Sequence, residues 1–134
     1  MDDVLEIQAE IIRNRARALM HDTSNSLNLM QATAAMGIFD RATRLQHSAQ
    51  AIGNDRDPHI RWAMWSRIRG FLTPILGYAR LLQSERLGQL SRSQITDILL
   101  IIEAVRAIGA RAVALLQDEA ATVATKPPRH PKER

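Results

Sequence analysis

The sequence predicts an all-α fold, an antiparallel four-helix bundle made of two helical hairpins. Three observations lead there. Apolar residues recur at three- and four-residue spacing along most of the 134-residue chain. Only five residues are aromatic (Phe39, Trp62, Trp65, Phe71 and Tyr78), so aliphatic and alanine side chains must fill the interior. Nothing alternates with period two over a useful length, as half-buried strands do.

The first element is expected from about Asp3 to Met36. Leu5, Ile12 and Leu19 form one seven-residue row, and Ala9, Ala16, Thr23 and Met30 a second, giving an apolar stripe on one helix face. Asp2, Asp3 and Glu6 suit the positive end of its dipole. Gly37 is a natural stop. A second helix carries Ile38, Ala42, Leu45, Ala49 and Ile52 and ends at Gly53, so a short turn at Gly37 makes a hairpin over 3–53.

The strongest break is Gly53-Asn54-Asp55-Arg56-Asp57-Pro58. Asp57 is placed to cap a third helix, with Pro58 at its first position, where a missing N–H costs nothing. That helix directs Ile60, Met64, Ile68, Leu72, Ile75, Ala79 and Leu82 inward, and Pro74 should kink it. Glu85 to Leu90, with Gly88, turns the chain. Ser91 or Ser93 caps a fourth helix bearing Ile95, Ile98, Ile102, Val105, Ile108, Ala112 and Leu115, which fades near Glu119. The second hairpin therefore spans 58–119, and the two make one bundle over 1–120. A residual apolar stripe would serve to pair two chains as a homodimer.

Composition narrows the function. The chain is 46% hydrophobic and 24% charged, within the range of globular proteins. With no cysteine, disulfides and thiolate metal sites are excluded. His21, His47, His59 and His130 show no metal-ligand spacing, so neither a metal nor a cofactor is expected. No apolar run is long enough for a membrane span, and Met1, Asp2 and Asp3 carry the wrong charge for a secretory signal, which makes the cytoplasm the expected location. The net charge of +4 is concentrated in the last nine residues, where four bases and one acid accompany three prolines. Residues 121–134 read as a disordered basic tail. With a near-neutral body and no base-stacking aromatics on a basic face, nucleic acid is an unfavoured partner.

The segment that points to chemistry is His21-Asp22-Thr23-Ser24-Asn25-Ser26-Leu27. On a continuous helix His21 and Asn25 stack one turn apart, with Asn14, Arg17, Ser24 and Asn28 on or near the same face. An exposed imidazole, substantially neutral near pH 7, is a competent nucleophile toward a phosphoryl group. A neighbouring carboxylate such as Asp22 orients the ring and manages its proton, and Asn25 is placed to bond a phosphoryl oxygen or a water. The plainer reading is a solvated surface histidine beside an aspartate, which the spacing taken alone favours.

His21-Asp22-x-x-Asn25-x-Leu27, followed by Gly37 and Ala42, resembles the helical hairpin of the sporulation phosphotransferase B family. That family is similar to the dimerisation and phosphoacceptor domains of sensor histidine kinases. The resemblance covers roughly Arg13 to Ile52. It implies that His21 is phosphorylated, that Asp22 is its acid/base partner and that Asn25 positions water. The second hairpin resembles a degraded copy: Ile75-Leu76-Gly77-Tyr78-Ala79-Arg80-Leu81-Leu82 and Leu87-Gly88-Gln89-Leu90-Ser91 look like the end of a phosphoacceptor helix and its turn. Ser66 stands where the pattern wants histidine and Arg67 where it wants an acid, so this half should be inert. A shift of 45 residues, laying His21 on Ser66 and Leu27 on Leu72, offers a fused pseudo-dimer; chance similarity of two amphipathic helices is the other explanation.

The chain contains no P-loop, no GxGxxG and no room for an ATP-binding kinase domain. The expected function is a histidine phosphotransfer module of two-component signalling that exchanges a phosphoryl group between His21 and a response regulator receiver domain. Any Mg²⁺ would be held by that partner. The alternative is a non-catalytic interaction or dimerisation module that binds a histidine kinase or response regulator without phosphorylation.

Overall fold

The computed structural model describes residues 3–22 and 26–125. Four helices follow one another: α1 (Asp3–Met20), α2 (Leu29–Asn54), α3 (Pro58–Gln83) and α4 (Arg92–Thr125). Helix α1 packs on α2 and α4, and α3 on the same two, so α1–α3 and α2–α4 are the diagonals of an up-down-up-down four-helix bundle.

The interior is a ladder of aliphatic side chains at heptad-like spacing. Leu5, Ala9, Ile12, Ala16 and Leu19 of α1 are fully buried, as are Ile68, Ile75, Ala79 and Leu82 of α3, with Leu72 nearly so. Helix α2 contributes Ala35, Ile38, Ala42, Leu45, Ala49 and Ile52, and α4 Ile98, Ile101, Val105, Ile108 and Ala112. Three other residues expected in the core are exposed, and two, Met64 and Leu115, are half-buried. Met30 is 62% exposed, Ile60 43% and Ile95 37%, each before or beside the buried row of its helix; Thr23 lies outside the described residues. Trp65 is the largest buried side chain among the described residues, and its indole N–H has no partner among them.

Three helix boundaries differ from those the sequence predicts. Helix α1 ends at Met20 rather than Met36, and the connection falls at 21–28. The sequence here, Asp22-Thr23-Ser24-Asn25-Ser26 with Asn28 beyond, is rich in short polar residues, a type that competes with the helix for backbone hydrogen bonds. Asn28 then caps α2 in a reciprocal box: its Oδ1 accepts from Gln31 N at 2.8 Å, and its own N–H donates to Gln31 Oε1 at 3.0 Å. Gly37, expected at a turn, sits inside α2, where the absence of a side chain lets the Tyr78 ring of α3 approach. A Cβ there would lie 2.7 Å from Tyr78 Cε2. Helix α4 runs on to Thr125 instead of fading near Glu119; the remaining tail, 126–134, lies outside the described residues.

The second hairpin begins as the sequence predicts. Asp57 Oδ1 accepts from His59 N at 2.9 Å, and Pro58 opens α3, which continues through Pro74. Glu85 (φ 60°) and Gly88 (φ 153°) turn the chain. Ser91 rather than Ser93 caps α4: its Oγ accepts from Gln94 N at 3.1 Å, and its N–H donates to Gln94 Oε1 at 2.8 Å.

The two hairpins repeat one another at an offset of 63 residues, as from Leu5 to Ile68 and from Gln31 to Gln94. Every buried α1 position maps onto a buried α3 position, through Ala9 and Leu72, Ile12 and Ile75, Ala16 and Ala79, Leu19 and Leu82. The caps Asn28 and Ser91 coincide, and the two buried polar residues of the core, Gln31 and Gln94, play the same part in each. The 45-residue shift read from the sequence is therefore replaced, and with it the pairing of His21 with Ser66. In the observed register His21 corresponds to Ser84, in the other connection.

Candidate functional site

Both hairpin connections meet at one end of the bundle and are tied together there. Asn28 Nδ2 donates to the Leu87 carbonyl at 2.7 Å, and Gln31 Nε2 donates to the Gln89 carbonyl at 3.2 Å. The two amides that start α2 thus also hold the α3–α4 loop. Gly88 lies close against them: a Cβ there would come 2.7 Å from both Asn28 Nδ2 and Gln31 Nε2.

His21 stands at this end, immediately after α1, with its backbone N–H donating to Arg17 O at 3.0 Å. Its side chain is exposed and that of Asp22 half-buried. Asn25 lies outside the described residues. The imidazole expected in mid-helix instead follows the helix end, since α1 stops at Met20. The polar stripe is divided accordingly: Asn14 and Arg17 belong to α1, Asn28 to the cap of α2. Arg17 instead stacks with Arg13 on Phe39, their guanidinium carbons 5.7 and 5.4 Å from the ring centroid. Ser66 is exposed on α3.

Beside the joined connections an apolar cleft of about 300 Å³ opens between α2 and α3, lined by Leu29, Met30, Thr33, Ala34, Tyr78, Leu81 and Leu87. Its rim is unusually open for such residues: Leu29 is 82% exposed, Met30 62% and Leu81 38%. Arg41 lies over the Tyr78 ring, 5.3 Å from its centroid, and also donates to Gly37 O at 3.4 Å.

The internal repeat supplies a control for this surface. The 63-residue offset carries the α2–α3 cleft onto the face between α4 and α1. There Arg92 stands for Leu29, Ser93 for Met30, Asp97 for Ala34, Arg15 for Tyr78 and Ala18 for Leu81. Arg15 and Asp97 close that face with an ion pair at 3.2 Å. The same backbone position is thus satisfied by polar residues in one half and left apolar and open in the other. Sequence reasoning missed the cleft because Met30 fits an apolar row of a continuous first helix, while Leu29 falls in neither of that helix's rows and is assigned no face. The signal that exposes them is the Asn28-x-x-Gln31 box, which restarts the helix and turns them outward.

No described helix is long and apolar enough to cross a membrane. Among the described residues, no three His, Cys, Asp or Glu side chains gather into a metal site. Comparison with known proteins found no matching family model, no matching curated protein and no matching solved structure.

Proposed function

We propose that this chain is a helical interaction module that binds a partner protein through its α2–α3 side without being phosphorylated. The partner class drawn from the resemblance is a histidine kinase or the receiver domain of a response regulator. The observation that carries the reading is the contrast between equivalent faces. Where α4 and α1 present Arg92, Ser93, Asp97 and Arg15, α2 and α3 present Leu29, Met30, Ala34 and Tyr78. Since the fold is content with polar residues at this position, its apolar version serves something outside the fold.

A second reading, phosphotransfer through His21, is favoured by one observation: the imidazole is exposed at the end of the bundle, with Asp22 as its sequence neighbour. Such a ring is accessible to a docking receiver domain.

One experiment separates them. The chain and its His21→Gln and Met30→Ser/Leu81→Ala variants are each incubated with a phosphorylated receiver domain and with a histidine kinase. The module reading expects a complex that forms without label, survives His21→Gln and is lost with the double variant. Acid-labile label on the wild type that disappears in His21→Gln establishes the second reading instead. If no complex and no label is found with either protein, both readings are overturned.

A further inference from the structure

The apolar character of the α2–α3 side is not confined to the cleft. Along α3, Ile60 and Leu81 are exposed, while Met64, Phe71, Pro74 and Tyr78 are half-buried. They occupy two adjacent heptad rows, 60–67–74–81 and 64–71–78, so they share the edge of α3 that carries Tyr78 toward Gly37 of α2. At 1.5 Å per residue the row runs roughly 30 Å, the length of a helix of about 20 residues. On α1 the same register holds Gln8 for Phe71, Arg15 for Tyr78 and Ala18 for Leu81, but also Val4 for Arg67 and Ile11 for Pro74. The two halves therefore differ at the large side chains beside the cleft rather than along the whole row.

The charges beside the stripe have one prevailing sign. Arg67 lies on it, Arg41 covers Tyr78, and Arg86 projects from the adjoining loop. None of the three has a carboxylate partner among the described residues. Of the acids on this side, Asp40 pairs with Arg44 at 3.5 Å, while Glu85 Oε2 accepts from Leu90 N at 2.9 Å and keeps its charge. Three arginines without a carboxylate partner thus stand against one carboxylate without a cationic one among the described residues.

We infer that the α2–α3 side is a docking groove for a fifth helix supplied by a partner protein, an amphipathic helix with an apolar stripe flanked by carboxylates. Its apolar residues fill the cleft and cover the α3 row, and its carboxylates meet Arg41, Arg67 and Arg86. This helix-in-groove mode draws affinity from apolar anchors and register from the flanking charges. The inference rests on the reading of the chain as an interaction module and specifies what that module binds.

The chain has no cysteine, so a single introduced thiol takes a fluorescent label uniquely. Met36→Cys places the label two turns after Leu29 on the exposed side of α2, and Thr73→Cys places it in the groove between α3 and α4. The probes are two 20-residue helical peptides, leucine at every third or fourth position, with glutamate on both flanks of the stripe in one and lysine in the other. Expected are at least tenfold tighter binding of the glutamate peptide, weakening with salt, and a response from the label at 36 but not at 73. Arg41→Glu/Arg67→Glu should reverse the preference, and Met30→Ser/Leu81→Ala should weaken both peptides at least tenfold while far-UV dichroism is retained. Equal binding of the two peptides, no binding of either, or a response at 73 overturns the inference. So does a signal at 36 that changes with protein concentration alone, which identifies a second copy of the chain as the occupant. If kinase or receiver complexes form and survive Arg41→Glu/Arg67→Glu, the inference falls while the module reading stands. If no such complex forms at all, the module reading itself falls.

Discussion

Replacing Gly37 by alanine sets two known effects against each other at one atom. In a helix interior the exchange favours folding by about 0.8–1 kcal/mol, since glycine gives up more backbone freedom. Here the new Cβ would stand 2.7, 2.9 and 3.1 Å from three atoms of the Tyr78 ring. Contacts that short require the ring or the two helices to move, and overpacking of this kind costs about 1–3 kcal/mol. The ring lines the open cleft and Arg41 lies over it at 5.3 Å from the centroid, so it can retreat only by giving up that contact and its seat against α2. The steric term wins, and Gly37→Ala should destabilise the chain by about 1 kcal/mol, a fall in melting temperature of roughly 3–5 °C. In a Tyr78→Ala background the obstruction is gone and the same exchange should stabilise by about 0.8 kcal/mol. Urea denaturation of the four proteins, followed by far-UV dichroism, gives the coupling as a double-mutant cycle. Additive effects, with Gly37→Ala stabilising in both backgrounds, would refute the close-approach account of this glycine.

Gly70 and Gly77 are the counterpart, since a Cβ at either meets nothing within 4 Å; alanine at each should raise stability by about 0.5–1 kcal/mol, additively, in the same denaturation assay. Gln31→Ala removes a buried amide that caps α2 and holds the Gln89 carbonyl. A loss of about 1–3 kcal/mol is expected, together with faster amide exchange in both connections. Gly88→Ala combines a backbone φ of 153° with a Cβ 2.7 Å from two side-chain nitrogens; it should lower the melting temperature and speed exchange at the same end of the bundle. The Arg15–Asp97 pair is partly solvated, its side chains 46% and 16% exposed. Arg15→Ala should therefore cost less than about 1 kcal/mol, and less still at high salt.

The fold class was legible because burial here follows period and little else. Leu5, Ile12 and Leu19, or Ile68, Ile75 and Leu82, announce their face without help from neighbours. The start of α3 was equally open to view, since Asp57 and Pro58 act locally. The first hairpin was misplaced because its residues carry two messages. Thr23 and Met30 sit in register with the row of α1, while a sequence so rich in short polar residues favours a helix end, so period and cap point to different boundaries. Gly37 misled for a related reason: a glycine that ends a helix and one that admits a ring from another helix look alike until the neighbour is known. The candidate site was legible only in part. His21 and Asp22 were named from their chemistry, but the apolar opening beside Leu29 depends on where α2 begins. The 63-residue offset was hidden because few side chains are identical between the halves; what repeats is burial, which no single residue displays.

That repeat also bears on how the molecule behaves in dilute solution. Two separate hairpins of this kind would assemble only above some threshold concentration, and their partnership would dissolve on dilution. Joined through Asp55–Asp57, each half keeps the other at a constant, high local concentration. The assembly step becomes intramolecular, leaving each half at liberty to drift in sequence on its outer surface while the shared interior stays closed.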